Sequence, residues 1–433
     1  MASQSISLAT YLKLLRGNAN FRRLWIAQII SETGDWFYTI ALYAMLLEFT
    51  GKAELLGLAF LLQVMPQALT SPVAGVINDR LHRRPVMIFS DVARAVIVSC
   101  MLLVRSPQMI WLVFPLLVLE TVMFGLFEPA RNAVIPNIVE ADEIMVANTL
   151  SSTTWSFNFF VGSAVGGAVA AFLGRDTVFA LNGLSFLASA FFISRMQFAE
   201  PHTESLPPLR WGDLVDFSPV LEGVRYVRRQ SRLAVAVFVK AGLGVTGASW
   251  IVFPIMGKYI FPVTGHGIDP QRGAILGMSL LMGARGLGAL IGPVAAAPWA
   301  QQNPHRLRLG IMAGFFLYGA GYIALKLIHN VALAYFVITL SHMGGAVIWV
   351  FSTTLLQLMT DDKFRGRVFA AELSFCTITL GLTAYLAGVL IDQGIDVRTV
   401  ALATGVLTVL AGAVWGWLGV RKSGQPDVSP PEI

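Results

Sequence analysis

The sequence GVINDRLHRR, residues 75–84, decides the fold. It is a short charged interruption between two apolar runs, at about 54–77 and 86–104. Each run is long enough for a helix that crosses a bilayer, which takes about 20 apolar residues. The glycine allows two helices to approach closely, the aspartate can cap a helix N-terminus, and the arginines favour the cytoplasmic surface. The stretch therefore predicts two membrane helices joined by a tight cytoplasmic loop.

The same alternation continues on both sides of this loop. The chain has 433 residues, of which 55% are hydrophobic and 13% charged, whereas soluble domains have about 25% charged residues. A soluble globular protein is thereby excluded. We predict an all-α integral membrane protein with twelve transmembrane helices in two six-helix bundles. The predicted spans lie at about 24–47, 54–77, 86–104, 109–127, 146–173, 177–194, 233–257, 273–298, 309–328, 331–358, 367–391 and 399–420.

The basic residues predict the orientation of the chain. With the N-terminus inside, the segments on the cytoplasmic side carry 21 Lys and Arg residues, and the opposite segments carry 7. This difference satisfies the positive-inside rule. It predicts a multi-pass protein of the plasma (inner) membrane with both termini in the cytoplasm. The net charge of +6 then reflects topology, and nucleic acid is not an expected partner.

A polar stretch divides the apolar runs six and six. It predicts an N-terminal bundle at 1–198, a cytoplasmic linker at 199–232, a C-terminal bundle at 233–422 and a disordered tail at 423–433. From Ser218 to Leu233, apolar residues alternate with four arginines in the pattern of an amphipathic helix on anionic lipid. A connector that merely follows the positive-inside rule is the alternative.

The loop resembles the signature of the major facilitator superfamily, in which a glycine precedes an Asp-Arg pair and then a basic pair. The matching residues are Gly75, Asp79, Arg80, Arg83 and Arg84, and a histidine replaces the usual glycine before the basic pair. Other stretches resemble one branch, which contains macrolide efflux proteins, the enterobactin exporter and, more distantly, lysophospholipid transporters. They are Gly34-Asp35, Asp91 to Arg94, Glu128 to Arg131, Glu222 to Tyr226 and Arg365 to Val368.

This resemblance implies export of an amphipathic solute by alternating access, with a gating network near the cytoplasmic surface. In the fifth span, Gly162, Gly166 and Gly167 are similar to the glycine-rich antiporter motif, although Ser163 stands in place of its proline. Ordinary packing of small residues is the alternative. The residues assigned to the gating network are Gly75, Asp79, Arg80, Arg83, Arg84, Asp91, Arg94 and Arg131.

Ionisable residues inside the spans are candidates for function, since a charge at the centre of a span costs about 2.5–3.5 kcal/mol. Glu32 and Asp35 share one helical face near the middle of span one. One of two carboxylates in an apolar cavity can hold a proton near neutral pH, which is the chemistry that a proton-coupled exporter needs. A polar pair satisfied by neighbouring helices is the alternative.

In the superfamily that the chain resembles, spans one, four, seven and ten line the central path. This adds Glu120, Lys240 and His342 to the pair in span one as proton-coupling or cavity residues. Lys240 and Glu372 are expected to pair across the two halves or to snorkel, and a structural role is the alternative for His342. Aromatic residues that could line a cavity or simply pack are Trp36, Phe37, Trp155, Phe159, Trp250 and Trp349.

The sequence contains no P-loop, no His-Glu-x-x-His run and no nucleophile elbow. We therefore expect neither an enzyme nor a cofactor or metal site. GLGVTG at 242–247 matches the dinucleotide-binding pattern, but it lies inside a predicted span with no preceding strand. The expected partners are an amphipathic small-molecule or lipid substrate, protons and membrane lipids, and we expect a monomer.

These observations predict a secondary transporter that exports an amphipathic small molecule across the inner membrane by proton antiport. A lysophospholipid or lipid transporter without obligatory proton coupling is one alternative. A non-transporting membrane receptor or assembly factor with the same fold is another, because Thr121 stands where the fourth-span antiporter motif has an arginine.

Overall fold

The computed structural model describes residues 8–200, 225–227, 231–301, 303–360 and 362–420. The described residues are 88% helical and contain no strand. The predicted all-α class is therefore confirmed. The predicted tail at 423–433 and most of the predicted linker, including the amphipathic helix from Ser218, lie outside the described residues.

The first part of the chain forms α1 Leu8–Gly17, α2 Ala19–Thr50, α3 Ala53–Arg80, α4 Arg83–Cys100, α5 Val113–Ile138, α6 Ile144–Leu173 and α7 Arg175–Ser194. Asn18 begins α2, because its side chain accepts a hydrogen bond from the Phe21 N–H at 2.9 Å. Gly51 follows α2 with a φ of 66°, the left-handed conformation that commonly ends a helix.

The second part forms α8 Ser231–Gly244, α9 Ser249–Tyr259, α10 Pro270–Ala300, α11 Pro304–Ala324, α12 Val331–Met359, α13 Asp362–Asp392 and α14 Val397–Trp415. The side chains of Asp269, Asn303 and Asn330 accept backbone N–H bonds at the starts of α10, α11 and α12. Polar caps of this kind fix the positions at which membrane helices begin.

Ten segments within the described residues are long and apolar enough to cross a membrane. The long helices α2 and α3 are not among them. In α2 three acidic residues, Glu32, Asp35 and Glu48, lower the hydropathy, and in α3 the search covered only the described stretch Ala53–Gln67. The ten segments are Arg83–Leu103, Pro107–Ile138, Ile144–Leu173, Arg175–Ser194, Leu233–Tyr259, Pro270–Ala300, Pro304–Ala324, Val331–Met359, Val368–Asp392 and Val397–Val420.

The seventh predicted span is interrupted between α8 and α9 by a short 3₁₀ segment, Val245–Ala248. Its glycines lie against α13. A Cβ at Gly247 would lie 2.1 Å from the Leu380 carbonyl oxygen, and one at Gly244 would lie 2.6 Å from Thr379 Cβ. The GLGVTG stretch therefore serves close helix packing.

The two parts of the chain meet where α3 packs on α13 and α6 packs on α10. Glycines permit these contacts. A Cβ at Gly388 would lie 2.4 Å from the Ala53 carbonyl oxygen, and one at Gly286 would lie 2.6 Å from Phe160 Cα. Small residues are what brings helix backbones together in membranes.

Hydrogen bonds join the two parts at one end, which we call the Asp392 end. The two Asp392 carboxylate oxygens accept the backbone N–H groups of Ala53 and Glu54 at 2.9 Å each. The Tyr385 hydroxyl donates to Glu54 Oε1 at 2.8 Å. A lysine of α9 also donates to a carbonyl near the end of α2, at 3.0 Å.

The apolar core is shared at the Asp392 end and divided at the opposite end, which we call the Arg84 end. One cluster contains buried residues of both parts, such as Leu56 and Phe253. A second cluster draws its buried residues from the first part alone, between Leu14 and Met196, and a third draws them from between Val227 and Val368. The two parts therefore pack together at the Asp392 end and diverge towards the Arg84 end.

Candidate functional site

One arginine in the centre of the first part is shared by three carboxyl groups. Arg94 on α4 is 2% exposed. Its Nη2 lies 2.8 Å from Asp35 Oδ2 on α2, and its Nε lies 3.0 Å from Glu120 Oε1 on α5. Asp91, one turn earlier on α4, has its Oδ1 3.8 Å from Arg94 Nη1. We call these four residues the Arg94 cluster, and it joins three helices.

Among the described residues, the charges of the Arg94 cluster are not balanced. Asp91 is fully buried, and its carboxylate oxygens have no hydrogen-bond partner among the described residues. The Phe186 ring covers the guanidinium, with its centroid 3.9 Å from Arg94 Cζ. Three carboxyl groups facing one guanidinium leave an excess of negative charge, which is costly in a low-dielectric site. A proton bound by any of the three would relieve that excess.

A second ionic group lies on the same face of α2, one turn nearer the Arg84 end. Glu32 Oε1 is 3.3 Å from Arg131 Nη1 on α5 and accepts a hydrogen bond from Gln28 at 2.9 Å. Glu32 Oε2 accepts a hydrogen bond from Asn158 on α6 at 3.1 Å. Arg131 Nη2 also lies 2.5 Å from Glu128 Oε1. Glu32 is thus held by groups from three helices.

Glu32 and Asp35 share a helical face as the sequence predicts, but each carboxylate binds its own arginine. The sequence assigned Arg94 and Arg131 to the gating network and the two carboxylates to proton coupling. The structure instead joins both sets in shared clusters. Arg94 is 59 residues from Asp35 and Arg131 is 99 residues from Glu32 along the chain, so spacing gave no indication of these pairs.

Lys240 and Glu372 pair within the second part of the chain. Lys240 Nζ on α8 lies 2.9 Å from Glu372 Oε2 on α13 and donates to Thr353 Oγ1 at 2.8 Å. The side chains are 5% and 1% exposed. The expectation that they pair across the two halves or snorkel is wrong, because α8 and α13 are neighbours in one half and bury both side chains. The Trp349 ring also faces Lys240, with its centroid 4.3 Å from Nζ.

His342 on α12 lies in a buried polar group of the second part. Its Nε2 is 3.0 Å from the Tyr318 hydroxyl and 3.5 Å from the Tyr322 hydroxyl, both on α11. Its Nδ1 is 3.1 Å from the Ile338 carbonyl oxygen. These contacts connect α12 to α11, and His342 is 5% exposed. It is therefore packed inside the second part.

The loop at 75–84 differs from its predicted geometry at two positions. A Cβ at Gly75 would meet no atom of the described residues within 4 Å, so this glycine is not at a close helix contact in the described conformation. Asp79 is exposed, and Glu200 caps α4, because its Oε1 accepts the backbone N–H groups of Arg83 and Arg84 at 3.0 and 3.2 Å. Sequence analysis missed Glu200, a lone acid beyond α7 that has no pattern around it.

The arginines of this loop tie the first part together at the Arg84 end. Arg83 Nη1 donates to the Ala133 carbonyl oxygen on α5 at 2.8 Å, and Arg84 Nη2 donates to the Ser194 carbonyl oxygen on α7. Arg80 is the last residue of α3. The loop thus connects α4 with α5 and α7.

The glycines of α6 lie against α2 and α10. A Cβ at Gly162 would lie 2.7 Å from Trp36 Cβ, and one at Gly166 would lie 2.6 Å from Phe37 Cα. A Cβ at Gly167 would lie 2.1 Å from Ser279 Cβ in the second part. These positions admit no larger side chain without movement, so packing explains all three glycines.

Four rings form a cluster between the two parts, directly beside Asp35. Trp36 stacks on Phe159 with centroids 4.1 Å apart, and Phe60 stacks on Trp250 at 4.6 Å. The Trp36 and Trp250 rings are 6.2 Å apart and nearly parallel, at 9°. We call Trp36, Phe60, Phe159 and Trp250 the aromatic cluster. It links α2, α3 and α6 of the first part to α9 of the second.

Comparison with known proteins identifies the class of protein to which this chain belongs. The family profile described as "Transmembrane secretion effector" matches residues 12–430. The chain therefore belongs to this family, within the major facilitator superfamily of membrane transporters.

Relatives and solved structures agree with this assignment. The uncharacterised MFS-type transporter YfiS of Bacillus subtilis (strain 168) is 24% identical over 93% of each chain. Macrolide efflux protein A of Streptococcus pyogenes is 23% identical over 91% of this chain and 94% of its own. The crystal structure of nucleoside transporter NupG superimposes with a TM-score of 0.71 at 10% identity, over 92% of this chain and 98% of the other. The fold is therefore that of the superfamily.

Proposed function

We propose that this protein is a proton-coupled exporter of an amphipathic small molecule. The Arg94 cluster carries the proposal, because it places three carboxyl groups and one guanidinium near the middle of α2, α4 and α5. Charges at this depth are costly and mark proton or substrate pathways. The efflux function in the name of one relative supports the direction of transport. The protein acts as a carrier, with no catalytic residues of its own.

In this proposal α2 and α3 complete twelve spans, which form two six-helix bundles at 1–198 and 233–422. The excess of basic residues at the Arg84 end directs that end and both termini to the cytoplasm, across the inner membrane. Because the core is divided at the Arg84 end, the described conformation is then open to the cytoplasm. It is ready to receive a solute from inside, as an exporter requires. A monomer contains both bundles and suffices for alternating access.

The Arg94 cluster couples protons to movement through α2. A proton that binds Asp35 cancels its attraction to Arg94 and leaves this arginine with its other two carboxylates. The neighbouring residue on α2 is Trp36, which stacks within the aromatic cluster between the two parts. Protonation therefore loosens α2 from α4 at the residue adjacent to the contact that holds the two parts together. The exported solute leaves as the proton enters, and the proton is released on the cytoplasmic side.

Proteoliposomes that contain the purified protein test the proposal. The probes are radiolabelled erythromycin, taurocholate and lysophosphatidylethanolamine, each offered with and without an imposed pH gradient. We expect at least one of the first two to move only with the gradient. Asp35→Asn should abolish that movement, because an amide cannot carry the proton, while the exposed Asp176→Asn on α7 should leave it intact.

Three results contradict this proposal. Movement of erythromycin or taurocholate that ignores the pH gradient excludes proton antiport. Selective movement of lysophosphatidylethanolamine without a gradient supports a lipid transporter instead. If the protein binds these probes and moves none of them, the receptor alternative takes the place of transport.

A further inference from the structure

Arg285 on α10 is a half-buried cation for which the described residues supply no counter-ion. It lies near the middle of Pro270–Ala300 and is only partly exposed. Its Nη1 donates to Ser249 Oγ at 2.9 Å. No carboxylate oxygen of the described residues lies within 4.0 Å of its guanidinium. The buried cations Arg94, Arg131 and Lys240 each have such a partner.

The neighbours of Arg285 are neutral. The Trp250 ring centroid lies 3.9 Å from Arg285 Cζ, and the Phe159 centroid lies 5.7 Å away. Tyr318 and Tyr322 are within electrostatic range of the guanidinium. Aromatic faces attract a cation but carry no net charge, and hydroxyl groups do not neutralise it. A cation near the middle of a span costs about 2.5–3.5 kcal/mol, and without a counter-ion its retention needs a further reason.

The position of Arg285 indicates what that reason is. Phe159 belongs to the first part of the chain and Trp250 to the second, so the guanidinium lies beside the aromatic cluster, where the two parts meet. A guanidinium binds carboxylate, sulfonate or phosphate through two parallel hydrogen bonds. Stacked rings next to it offer an apolar surface. Together they are complementary to a molecule with one anionic group and a flat apolar body.

We propose that Arg285 binds the anionic group of the transported molecule, with the apolar part of that molecule against the aromatic cluster. This inference rests on the proposed export function, and it narrows the substrate from amphipathic molecules in general to amphipathic anions. Ser249 positions the guanidinium through its hydroxyl group. The apolar body of the solute contacts Trp36 and Trp250 and so bridges both parts of the chain.

A pair of matched probes tests the inference in the full-length protein reconstituted in nanodiscs. The anionic probe is 1-anilinonaphthalene-8-sulfonate, and the neutral one is N-phenyl-1-naphthylamine, which has the same rings without the sulfonate. Energy transfer from the tryptophans reports binding of either probe to the protein, and the Arg285→Gln variant locates the site. We expect Arg285→Gln to weaken binding of the sulfonate about tenfold or more, which corresponds to about 1.4 kcal/mol. Binding of the neutral probe should change less than about twofold.

Control variants distinguish the effect of the Arg285 charge from an effect on packing around Arg285. Arg285→Lys keeps the positive charge and should retain most of the affinity for the sulfonate. Arg105→Gln removes an exposed arginine elsewhere in the first part and should change neither probe. Equal weakening of both probes in Arg285→Gln would show that Arg285 only supports the packing. No change for either probe would show that the sulfonate binds elsewhere, and either result overturns the inference.

A measurement on the wild-type protein does not depend on whether a variant folds. Phenylglyoxal modifies arginine side chains, and mass spectrometry reports the extent of reaction at Arg285. The sulfonate probe should protect Arg285 from phenylglyoxal, whereas the neutral probe should not. Equal protection by both probes, or by neither, contradicts the inference.

These experiments use no pH gradient, so they are independent of proton coupling. Asp35→Asn tests transport driven by the gradient, whereas Arg285→Gln tests selective binding of the sulfonate probe. Failure of gradient-driven transport with selective sulfonate binding retained would exclude antiport and keep the anion site. The reverse result would exclude the anion site and keep antiport.

Discussion

Asp392 holds the two parts of the chain together, and its removal should open the Asp392 end. Its two carboxylate oxygens accept the backbone N–H groups of Ala53 and Glu54 at the start of α3. This arrangement is a helix cap supplied from the other part of the chain, and loss of a cap costs about 0.5–2 kcal/mol. The Tyr385 bond to Glu54 remains in the variant. Asp392→Ala should therefore shift the equilibrium towards opening by about 1–2 kcal/mol, a factor of about 5–30.

Electron-paramagnetic-resonance distance measurements can detect this shift. Spin labels at the exposed positions Gln108 and His329 would report the separation of the two parts at the Asp392 end, with both native cysteines replaced. We expect the population with the longer distance to rise about 5- to 30-fold relative to the closed population in Asp392→Ala. Asp392→Asn should give an intermediate shift, since its amide retains one oxygen acceptor.

A neighbouring aspartate provides the matched control. Asp396 is exposed at the same end, but its side chain bonds Lys326 and Thr399 of the second part. Asp396→Ala removes a carboxylate from the same surface without touching α3, so the distance distribution should not change. If Asp392→Ala also leaves the distribution unchanged, then the capping bonds do not hold this end closed and the reasoning is refuted.

Two other predictions concern stability and are checked by thermal unfolding in detergent. Lys240→Met should destabilise the protein by about 3–5 kcal/mol, because it leaves Glu372 buried without its partner. The double variant Lys240→Met with Glu372→Leu should recover most of that loss. A double variant as unstable as the single one contradicts this prediction. Gly247→Ala should lower the unfolding temperature, since its Cβ would lie 2.1 Å from a carbonyl oxygen. Gly75→Ala should leave the unfolding temperature unchanged, because its Cβ would meet no described atom within 4 Å. Equal effects of the two alanines would show that the close contact at Gly247 is not what matters.

The helices could be predicted from sequence because one physical requirement dominates their positions. Each run of about 20 apolar residues has to satisfy its backbone inside lipid, so its length and hydropathy reveal it. The predicted span at 86–104 is observed as Arg83–Leu103, and the span at 331–358 as Val331–Met359. In α2 the acidic residues Glu32, Asp35 and Glu48 lower the hydropathy, so this helix is not among the ten candidate spans.

The partners of the buried charges could not be predicted in the same way. Hydropathy places Asp35, Arg94 and Glu120 inside helices, but it says nothing of how each helix is rotated about its axis or which helix lies beside it. Lys240 and Glu372 illustrate the error that follows, because the sequence predicts that they pair across the two halves or snorkel, whereas they face each other within one part. These pairs join residues that are far apart in the sequence, and no local sequence pattern indicates them.

The motif matches predicted the family correctly but predicted the local geometry less well. The loop at 75–84 identified the superfamily, yet a Cβ at its glycine would meet no described atom within 4 Å, and Glu200 supplies the predicted cap. Conversely, GLGVTG at 242–247 is misleading as a nucleotide motif but lies at a close helix contact. The sequence shows where a glycine lacks a side chain, but only the structure shows whether a neighbouring helix packs closely against it.

The divided core at the Arg84 end has a consequence for biogenesis. All buried members of its first cluster lie between Leu14 and Met196, so they are complete before the second part of the chain has been synthesised. This cluster can consolidate in the membrane while translation continues, because it needs no residue from α8 onwards. The shared core at the Asp392 end cannot form until residues as late as Ala401 have been inserted. The first-part cluster at the Arg84 end can therefore form before the contacts that join the two parts.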